Sequence, residues 1–229
     1  PYSVVNSIDF TNYFRNRKKS LKIAYSSDLD VFPVDPRIKE LVGNSVRHFE
    51  TLGAEIEEVK LGFELSQKEM SDLWCRLIMP LNIRSLEVMK NFNFDLLGNH
   101  SEDFPPEYLK WIEIGKRMSA TDFFEDQEKR SSIFDKIQNI LNKFDLLITP
   151  TLACLPVLNG VDGNTKGPEK VNGEEVDPLI GWCLTYPFNF SGHPAASIPV
   201  GKVNEFPIGM QVIGNRFKDD LLLAACSQF

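Results

Sequence analysis

The stretch NFSGHPAASIPVGKVNEFPIGMQVIGNRFKD, residues 189–219, decides the fold. Two short apolar runs in it, Ala195 to Val200 and Ile208 to Ile213, are bounded by glycine or proline and predict two strands. A helix is predicted to begin near Asp219, and a helical segment is predicted just before the stretch, from about Leu179 to Asn189. This part of the chain therefore combines strands and helices in close succession.

The segment near the other end of the chain predicts a pair of parallel strands. Leu21 to Tyr25 indicates a strand, and Asp35-Pro36 indicates a helix N-cap followed by proline in the first turn. Gly53 is typical of the residue that follows a helix, and Ala54 to Leu61 predicts a second strand. Strand, helix and strand then form a βαβ unit with a right-handed crossover. The loop Ser26-Ser27-Asp28 lacks the GxGxxG pattern, so we expect no nucleotide site there.

The middle of the chain is predicted to be mainly helical. Ser66 to Glu69 has the pattern of a capping box and indicates the start of a helix. Pro80 is expected to kink or interrupt that helix, and residues 91–106 indicate a polar and aromatic loop. The elements expected after the loop are two helices and a strand: Pro106 to Met118, Thr121 to Phe144 and Asp145 to Thr149.

A long irregular segment separates this region from the quoted stretch. Residues 151–181 are rich in Gly, Pro, Asn and Lys, and such segments are often functional covers. Within the segment, Lys170 to Val176 is typical of a small hairpin that turns on Asn172-Gly173. Together these elements predict an α/β fold, in which a mixed β-sheet of at least five strands is covered by helices on both faces.

Composition excludes several classes of partner. The chain has 229 residues, of which 42% are hydrophobic and 25% are charged, which predicts one domain or one large lobe. A formal net charge of −7 disfavours contact with phosphate backbones, so we expect no nucleic acid partner. The basic run Arg15 to Lys19 is interpreted as a solvated lead-in, with a binding patch as the alternative. We find neither an apolar run as long as a membrane span nor a signal peptide, so no membrane partner is expected.

Cysteine and histidine patterns indicate neither a metal site nor a complete catalytic set. The four cysteines lie far apart without a CxxC pair, which favours buried free thiols in a reducing cytoplasm. The three histidines lack ligand spacing, so neither a metal nor a cofactor is predicted. Cys183 and His193 are candidates for a thiol and imidazole pair. An apolar helix around Cys183 and a turn around His193 favour packing roles instead.

The glycines, prolines and polar residues of the quoted stretch follow a known order. An Asn-x-x-Gly-x-Pro-Ala turn leads to a strand ending in Pro-x-Gly, then to a Pro-x-Gly-x-Gln strand, an Ile-Gly pair and a helix opening on an acidic residue. The matching positions are Asn189, Gly192, Pro194, Ala195, Pro199, Gly201, Pro207, Gly209, Gln211, Gly214 and Asp219. In these positions the chain resembles the C-terminal part of amidase signature enzymes. The run from Asp145 into Thr149-Pro150-Thr151 also fits that family.

The resemblance implies that the catalytic residues lie outside this chain. Family members cleave amides with a serine nucleophile, a bridging serine and a lysine base, and such a lysine needs a pocket that lowers its pKa. The chain has no comparable Gly- and Ser-rich stretch, and none of its lysines can be carried over to the catalytic position. Residues 1–229 are therefore expected to form the C-terminal lobe of an amidase signature domain. The first residue, Pro1 rather than Met, agrees with a piece of a longer protein.

The same resemblance implies the partners. These are a small-molecule amide substrate and the N-terminal catalytic half of the same enzyme. Without that half, the lobe is expected to expose apolar surface, through which copies could associate into a homo-oligomer.

The resemblance also implies that this lobe shapes the substrate pocket. Thr149 and Thr151 lie at a strand end, where ligands of α/β sheets commonly bind. Trp182, Tyr186 and Phe188 precede the signature turn and are candidates to face the acyl group of the substrate. Core packing is the alternative for these aromatic residues.

One position separates two related activities. Glutamyl-tRNA amidotransferase A subunits resemble this region but carry an aspartate near the position of Trp182, where a carboxylate would hold the ammonium group of glutamine. Tryptophan cannot neutralise that charge, and burying it unpaired would be costly. Trp182 therefore favours a stand-alone cytoplasmic amidase that converts a neutral or aromatic acyl amide to the acid and ammonia or an amine. The alternatives are an amidotransferase A-subunit-like protein, which needs a partner subunit and tRNA, and a non-catalytic α/β binding module.

Overall fold

The computed structural model describes residues 20–161 and 165–229, so the basic run Arg15 to Lys19 lies outside the described residues. The helices and strands in chain order are β1 Lys22–Tyr25, α1 Pro36–Val46, α2 His48–Thr51, β2 Glu55–Glu58, α3 Gln67–Asn91, α4 Leu96–Asn99, a 3-10 turn Ser101–Asp103, α5 Pro106–Arg117, α6 Ala120–Leu141, β3 Leu146–Pro150, β4 Lys170–Val171, β5 Glu174–Glu175, α7 Tyr186–Ser191, β6 Ala195–Val203, β7 Phe206–Gly214 and α8 Asp219–Cys226.

Five of these strands form one mixed sheet in the order β2-β1-β3-β7-β6. Strand β1 lies parallel to β2 and β3, whereas β7 lies antiparallel to β3 and to β6. The parallel pair β1 and β2 confirms the predicted βαβ unit. All five residues of β3 are buried, as expected for a strand that is covered on both faces.

Helices cover both faces of this sheet, as predicted. In β7, Gly214 faces Leu222 of α8. Gln211, three residues earlier, donates its side-chain Nε2–H to the carbonyl oxygen of Leu184 at 3.1 Å, just before α7. Side chains three residues apart in a strand point to opposite faces, so α8 and α7 lie on opposite sides of the sheet. Phe49 of α2 contacts Phe229 beyond α8, and α7 packs against α3 and α6 on the other side.

Side-chain caps start two helices at the predicted residues. The carboxylate of Asp35 accepts a hydrogen bond from the backbone N–H of Arg37 at 2.9 Å at the start of α1. Ser66 and Glu69 form the capping box that opens α3. Each cap supplies an acceptor for a backbone N–H that the first turn of a helix leaves unpaired, which is why the local sequence was sufficient to predict both.

Two hairpins turn on residues with left-handed backbone conformation. Asn172 and Gly173, with φ of 48° and 83°, connect β4 and β5 and confirm the predicted hairpin. Asn204 and Glu205, with φ of 48° and 68°, connect β6 and β7. Both turns have the positive φ values that match the twist of the paired strands. The second turn was not predicted, because a glutamate is an unusual residue at such a position.

The structure differs from the predictions for the helical region in three places. The first helix does not run to Gly53: it ends at Val46, and a separate short helix, α2, follows. Pro80 does not interrupt α3, which continues through it to Asn91. Close packing of α5 on both sides of that proline, through Gly115 against Met79 and Ile83, supports the continuous helix. The predicted loop 91–106 contains α4 and the 3-10 turn.

The helical segment predicted from Leu179 to Asn189 begins later than expected. Helix α7 starts only at Tyr186, so Trp182 and Cys183 precede it: Trp182 lies in a turn, and Cys183 forms an isolated β-bridge with Leu152. Pro187 explains the difference. A proline is tolerated in the first turn of a helix, which is where α7 places it, and is costly deeper inside a short helix.

Candidate functional site

The end of β3 carries the first two candidate residues. Thr149 is fully buried and lies in register with Gln211 of β7, which in turn lies in register with Ser197 of β6. The hydroxyl Oγ1 of Thr149 has no hydrogen-bond partner among the described residues. A buried hydroxyl without a hydrogen-bond partner destabilises a protein core, so Thr149 is a position where the hydrogen-bonding capacity of the sheet is not fully used.

Thr151 extends this polar row to the surface. Its hydroxyl lies 2.7 Å from the hydroxyl of Ser197, which is exposed on β6. Gly209 makes this pair of hydroxyl groups possible. A Cβ atom there would lie 2.6 Å from Ser197 Oγ and 2.8 Å from Thr151 Oγ1, closer than real side chains approach. The result is a pair of hydrogen-bonding hydroxyl groups at an accessible edge of the sheet.

Trp182 lies beside Thr151 on a neighbouring segment. The backbone N–H of Ala153 donates to the carbonyl of Trp182 at 2.9 Å, and the N–H of Leu184 donates to the carbonyl of Thr151 at 3.2 Å. The Trp182 indole is half-buried and donates its Nε1–H to the carbonyl oxygen of Pro178 at 3.2 Å. The structure thus brings Thr151, Trp182 and, across the sheet, Ser197 to one region of the fold.

Tyr186 and Phe188 lie in the core rather than beside an opening. Their exposed fractions are 0% and 2%. The Tyr186 ring packs against Phe32, Trp74 and Phe190, and its hydroxyl donates to the backbone carbonyl of Gln67 at 3.4 Å. Burial raises the pKa of this phenol. These contacts give Tyr186 a packing role, and the contact of either residue with substrate stays a prediction.

The structure shows no hydrogen bond between Cys183 and His193. Burial raises the pKa of the Cys183 thiol to about 11, which disfavours the thiolate. The ring nitrogens of His193 instead face Ser191 Oγ at 2.8 Å and Gln138 Oε1 at 3.1 Å. The carbonyl oxygen of Gln138 can only accept, so His193 donates from Nε2–H. The Ser191 hydroxyl faces two acceptors, Nδ1 of His193 and the Phe188 carbonyl oxygen at 3.1 Å, with one proton to donate. Both candidate residues have packing environments, although Cys183 precedes the helix in which it was expected.

The buried imidazole of His193 has a consequence for stability at low pH. Burial, assisted by the guanidinium of Arg216, lowers the pKa of His193 to about 4. The unfolded chain takes up this proton near pH 6.5, so the free energy of unfolding should fall as the pH drops from about 6.5 towards 4. We expect the contribution of His193 to this fall to be about 2 kcal/mol. Urea denaturation at several pH values measures it, with His193→Asn as the comparison, because the carboxylates titrate in both proteins. An equal decrease in both proteins across this range would contradict the assignment.

No metal-binding cluster of three or more His, Cys, Asp or Glu side chains occurs in residues 20–161 and 165–229. No helix within the same residues is long and apolar enough to cross a membrane. A cleft of about 690 Å³ lies along β2, at the edge of the sheet away from β6, and its lining includes Lys22, Lys143 and the charged strand β2 itself. The predicted site residues do not border this cleft.

Comparison with known proteins identifies the family. The sequence model of the Amidase family matches residues 1–223. The chain belongs to the amidase family. The crystal structure of a bacterial aryl acylamidase of the amidase signature family is similar to this amidase chain with a TM-score of 0.93 and 43% sequence identity, over 97% of this chain and 45% of the other. The resemblance noted in the sequence is thereby confirmed.

More distant relatives share the fold and the same partial coverage. The A subunit of glutamyl-tRNA(Gln) amidotransferase from Streptococcus pyogenes is 25% identical over 239 residues, which cover 98% of this chain and 47% of that protein. The structure of 6-aminohexanoate cyclic dimer hydrolase complexed with substrate has a TM-score of 0.73 at 20% identity, over 98% of this chain and 48% of the other. The amidase chain thus spans about half the length of the relatives that it matches.

Sequence reasoning missed Ser197 as a member of this region of the amidase chain. Its contact with Thr151 depends on the register of β6 on β7 and on the space above Gly209. The available signal was the alternation along the first strand of the signature, which places Ser197 on the same face as Ala195 and Pro199. That face of β6 is exposed in the structure.

Proposed function

We propose that this chain is the C-terminal, substrate-shaping lobe of an amidase that hydrolyses aryl amides and other neutral amides of carboxylic acids to the acid and ammonia or an amine. The observation that carries the proposal is the half-buried Trp182 indole, on a segment whose backbone is hydrogen-bonded to the segment of Thr151, together with the accessible hydroxyl pair of Thr151 and Ser197. An aromatic side chain and a pair of hydroxyl groups in one region of the fold suit a flat, uncharged substrate, because binding pockets are mostly apolar with a few polar groups that fix orientation. The 43% identity to a structure described as an aryl acylamidase supports the same substrate class.

The remaining site assignments belong to this proposal. Thr149, Thr151 and Trp182 contribute to the pocket wall, and Tyr186 and Phe188 support it from the core. The acyl-transfer residues, two serines and a lysine, are supplied by the remainder of the protein, which packs against this lobe as its N-terminal half. The four cysteines are free, which favours the cytoplasm as the location.

A second candidate function rests on the curated relatives. The Streptococcus pyogenes protein with 25% identity is the A subunit of an amidotransferase, and an A-subunit-like role would require a partner subunit and tRNA. Trp182 disfavours it, because an indole offers no carboxylate for the ammonium group of glutamine. The whole protein, purified without partners, is expected to hydrolyse an anilide. Glutaminase activity that appears only with a partner subunit would establish the alternative, and binding of an amide without any hydrolysis would indicate a non-catalytic module.

The role of Trp182 in substrate choice is tested by Trp182→Asp in the whole enzyme. We expect kcat/KM for a neutral anilide to fall by about tenfold to a hundredfold relative to that for a small aliphatic amide, because an apolar wall is replaced by a charged group. The melting temperature should change little, since the indole is only half-buried. Trp111→Asp on α5 is the matched control and should leave the ratio of the two substrates unchanged. Equal losses on both substrates together with a large drop in melting temperature would contradict the role in the pocket wall.

A further inference from the structure

The Trp182 indole shares its hydrogen-bond acceptor with a distant glycine. The carbonyl oxygen of Pro178 accepts from Trp182 Nε1 at 3.2 Å and from the backbone N–H of Gly167 at 2.9 Å. The two donors therefore meet at one oxygen, with the backbone of Gly167 lying against the edge of the indole. Within the long segment between β3 and α7, the middle of the segment at Gly167 thus contacts the Trp182 side chain near the C-terminal end of the same segment.

Only a glycine fits at position 167 while the indole keeps this position. A Cβ atom on Gly167 would lie 1.9 Å from Trp182 Nε1, 2.4 Å from Trp182 Cδ1 and 2.6 Å from the Pro178 oxygen. The backbone of Gly167 is not in the left-handed region, so conformational freedom is not the reason for a glycine here. The requirement is space for the indole ring.

A buried side chain from α3 holds the turn that directly precedes Trp182. Gln67, which is 7% exposed, donates its Nε2–H to the carbonyl oxygen of Gly181 at 2.9 Å. The N–H of Gly181 donates to the carbonyl of Asp177 at 2.8 Å, which closes a turn directly before Trp182. A Cβ on Gly181 would lie 2.2 Å from Gln67 Nε2, so this contact is also tightly packed. The backbone carbonyl of Gln67 receives the Tyr186 hydroxyl, which joins α3 to both ends of the segment 181–186.

We propose that Gly167 and Gln67 are positioning residues for substrate selectivity, which act by fixing the orientation of the Trp182 indole. Gly167 blocks rotation of the ring towards the loop, and Gln67 fixes the backbone from which the ring projects. This inference rests on the proposed role of Trp182 in the pocket wall. Gly167 and Gln67 influence the substrate only through that ring, and they belong to a loop and to a helix that are remote from Trp182 in sequence.

The test compares Gly167→Ala in the whole enzyme with and without the indole. In the Trp182 background, we expect the ratio of kcat/KM for an anilide to kcat/KM for an aliphatic amide to fall by about fivefold or more. Trp182→Ala removes the ring that a Cβ at 167 would strike, so in that background the same substitution should change the ratio less than about twofold. Gly43→Ala, in α1 on the other face of the sheet, is the matched glycine control and should leave the ratio unchanged in both backgrounds.

A measurement that does not depend on activity follows the ring itself. With Trp74, Trp111 and every tryptophan in the remainder of the whole protein replaced by phenylalanine, Trp182 is the single tryptophan, and Gly167→Ala should shift its emission maximum and increase its quenching by acrylamide. Gln67→Ala, which removes the other anchor, should act in the same direction and keeps the test decisive if the alanine at 167 prevents folding.

The possible results separate the inference from the function on which it rests. Equal changes of selectivity in the Trp182 and Trp182→Ala backgrounds would overturn the inference, as would unchanged fluorescence in both the Gly167 and Gln67 variants. A ring that moves while the selectivity stays constant would overturn it as well, and would show that the proposed role of Trp182 in the pocket wall is the part that fails.

Discussion

A polypeptide of residues 1–229 alone is expected to hydrolyse an anilide at least about a thousandfold more slowly than the whole protein. Amide cleavage requires an activated nucleophile with a base in reach. The residues of this chain that come nearest to the requirement are deactivated by burial. The thiols of Cys154 and Cys183 have their pKa raised to about 11, and His193 has its pKa lowered to about 4 and is already bonded to neighbouring side chains.

The comparison is informative only when the polypeptide is folded. A cooperative thermal transition by circular dichroism establishes this, and addition of the separately produced remainder of the protein should restore part of the activity. Turnover by folded residues 1–229 within about tenfold of the whole protein would contradict the assignment of catalysis to the other half.

Local chemistry explains which parts of the fold were predictable. The Asp35 and Ser66 caps and the Asn172-Gly173 turn satisfy requirements that arise within a few residues of chain, so the sequence states them directly. The two strands of the signature were placed for the same reason, since their ends coincide with glycine and proline. In the structure β6 runs on to Val203 and β7 begins at Phe206, so the gap between the two strands is shorter than predicted. The reason is that Asn204 and Glu205, both with positive φ, turn the chain without a glycine.

The candidate site was predictable only in part, because its contacts join distant segments. Thr151 and Trp182 were identified from their places beside the strand and the signature turn. The partner of Thr151 depends on how three strands align, and the position of the Trp182 ring depends on Gly167 and on Gln67 of α3. Neither dependence leaves a periodic pattern in the sequence. The non-helical conformation of Trp182 and Cys183 was missed for a related reason, since the pairing of Cys183 with Leu152 joins segments that are distant in the sequence.

Replacing Arg76 by methionine is expected to lower the free energy of unfolding by about 3 kcal/mol, because it leaves a buried carboxylate without its main partner. Asp126 of α6 has a side chain that is 4% exposed, and it accepts from Arg76 Nε at 2.7 Å and from Nη2 at 3.0 Å. Lys129 lies 3.4 Å from the same carboxylate and compensates only in part. The pair joins α6 to α3, the helix that begins with Gln67, so its loss weakens the scaffold behind the candidate site.

A double replacement distinguishes the cost of the unpaired charge from the loss of packing. Arg76→Met with Asp126→Leu should recover the free energy of unfolding to within about 1 kcal/mol of the original, because an apolar pair of similar size leaves no buried charge. Lys68→Met removes a pair that is largely exposed, with Asp72, and should cost less than about 0.5 kcal/mol. Chemical denaturation of the whole protein measures all four proteins. A double variant as unstable as Arg76→Met would show that the arginine acts through its packing. Recovery of stability together with unchanged substrate selectivity would show that the ion pair stabilises α3 without affecting how Gln67, at the start of α3, positions Trp182.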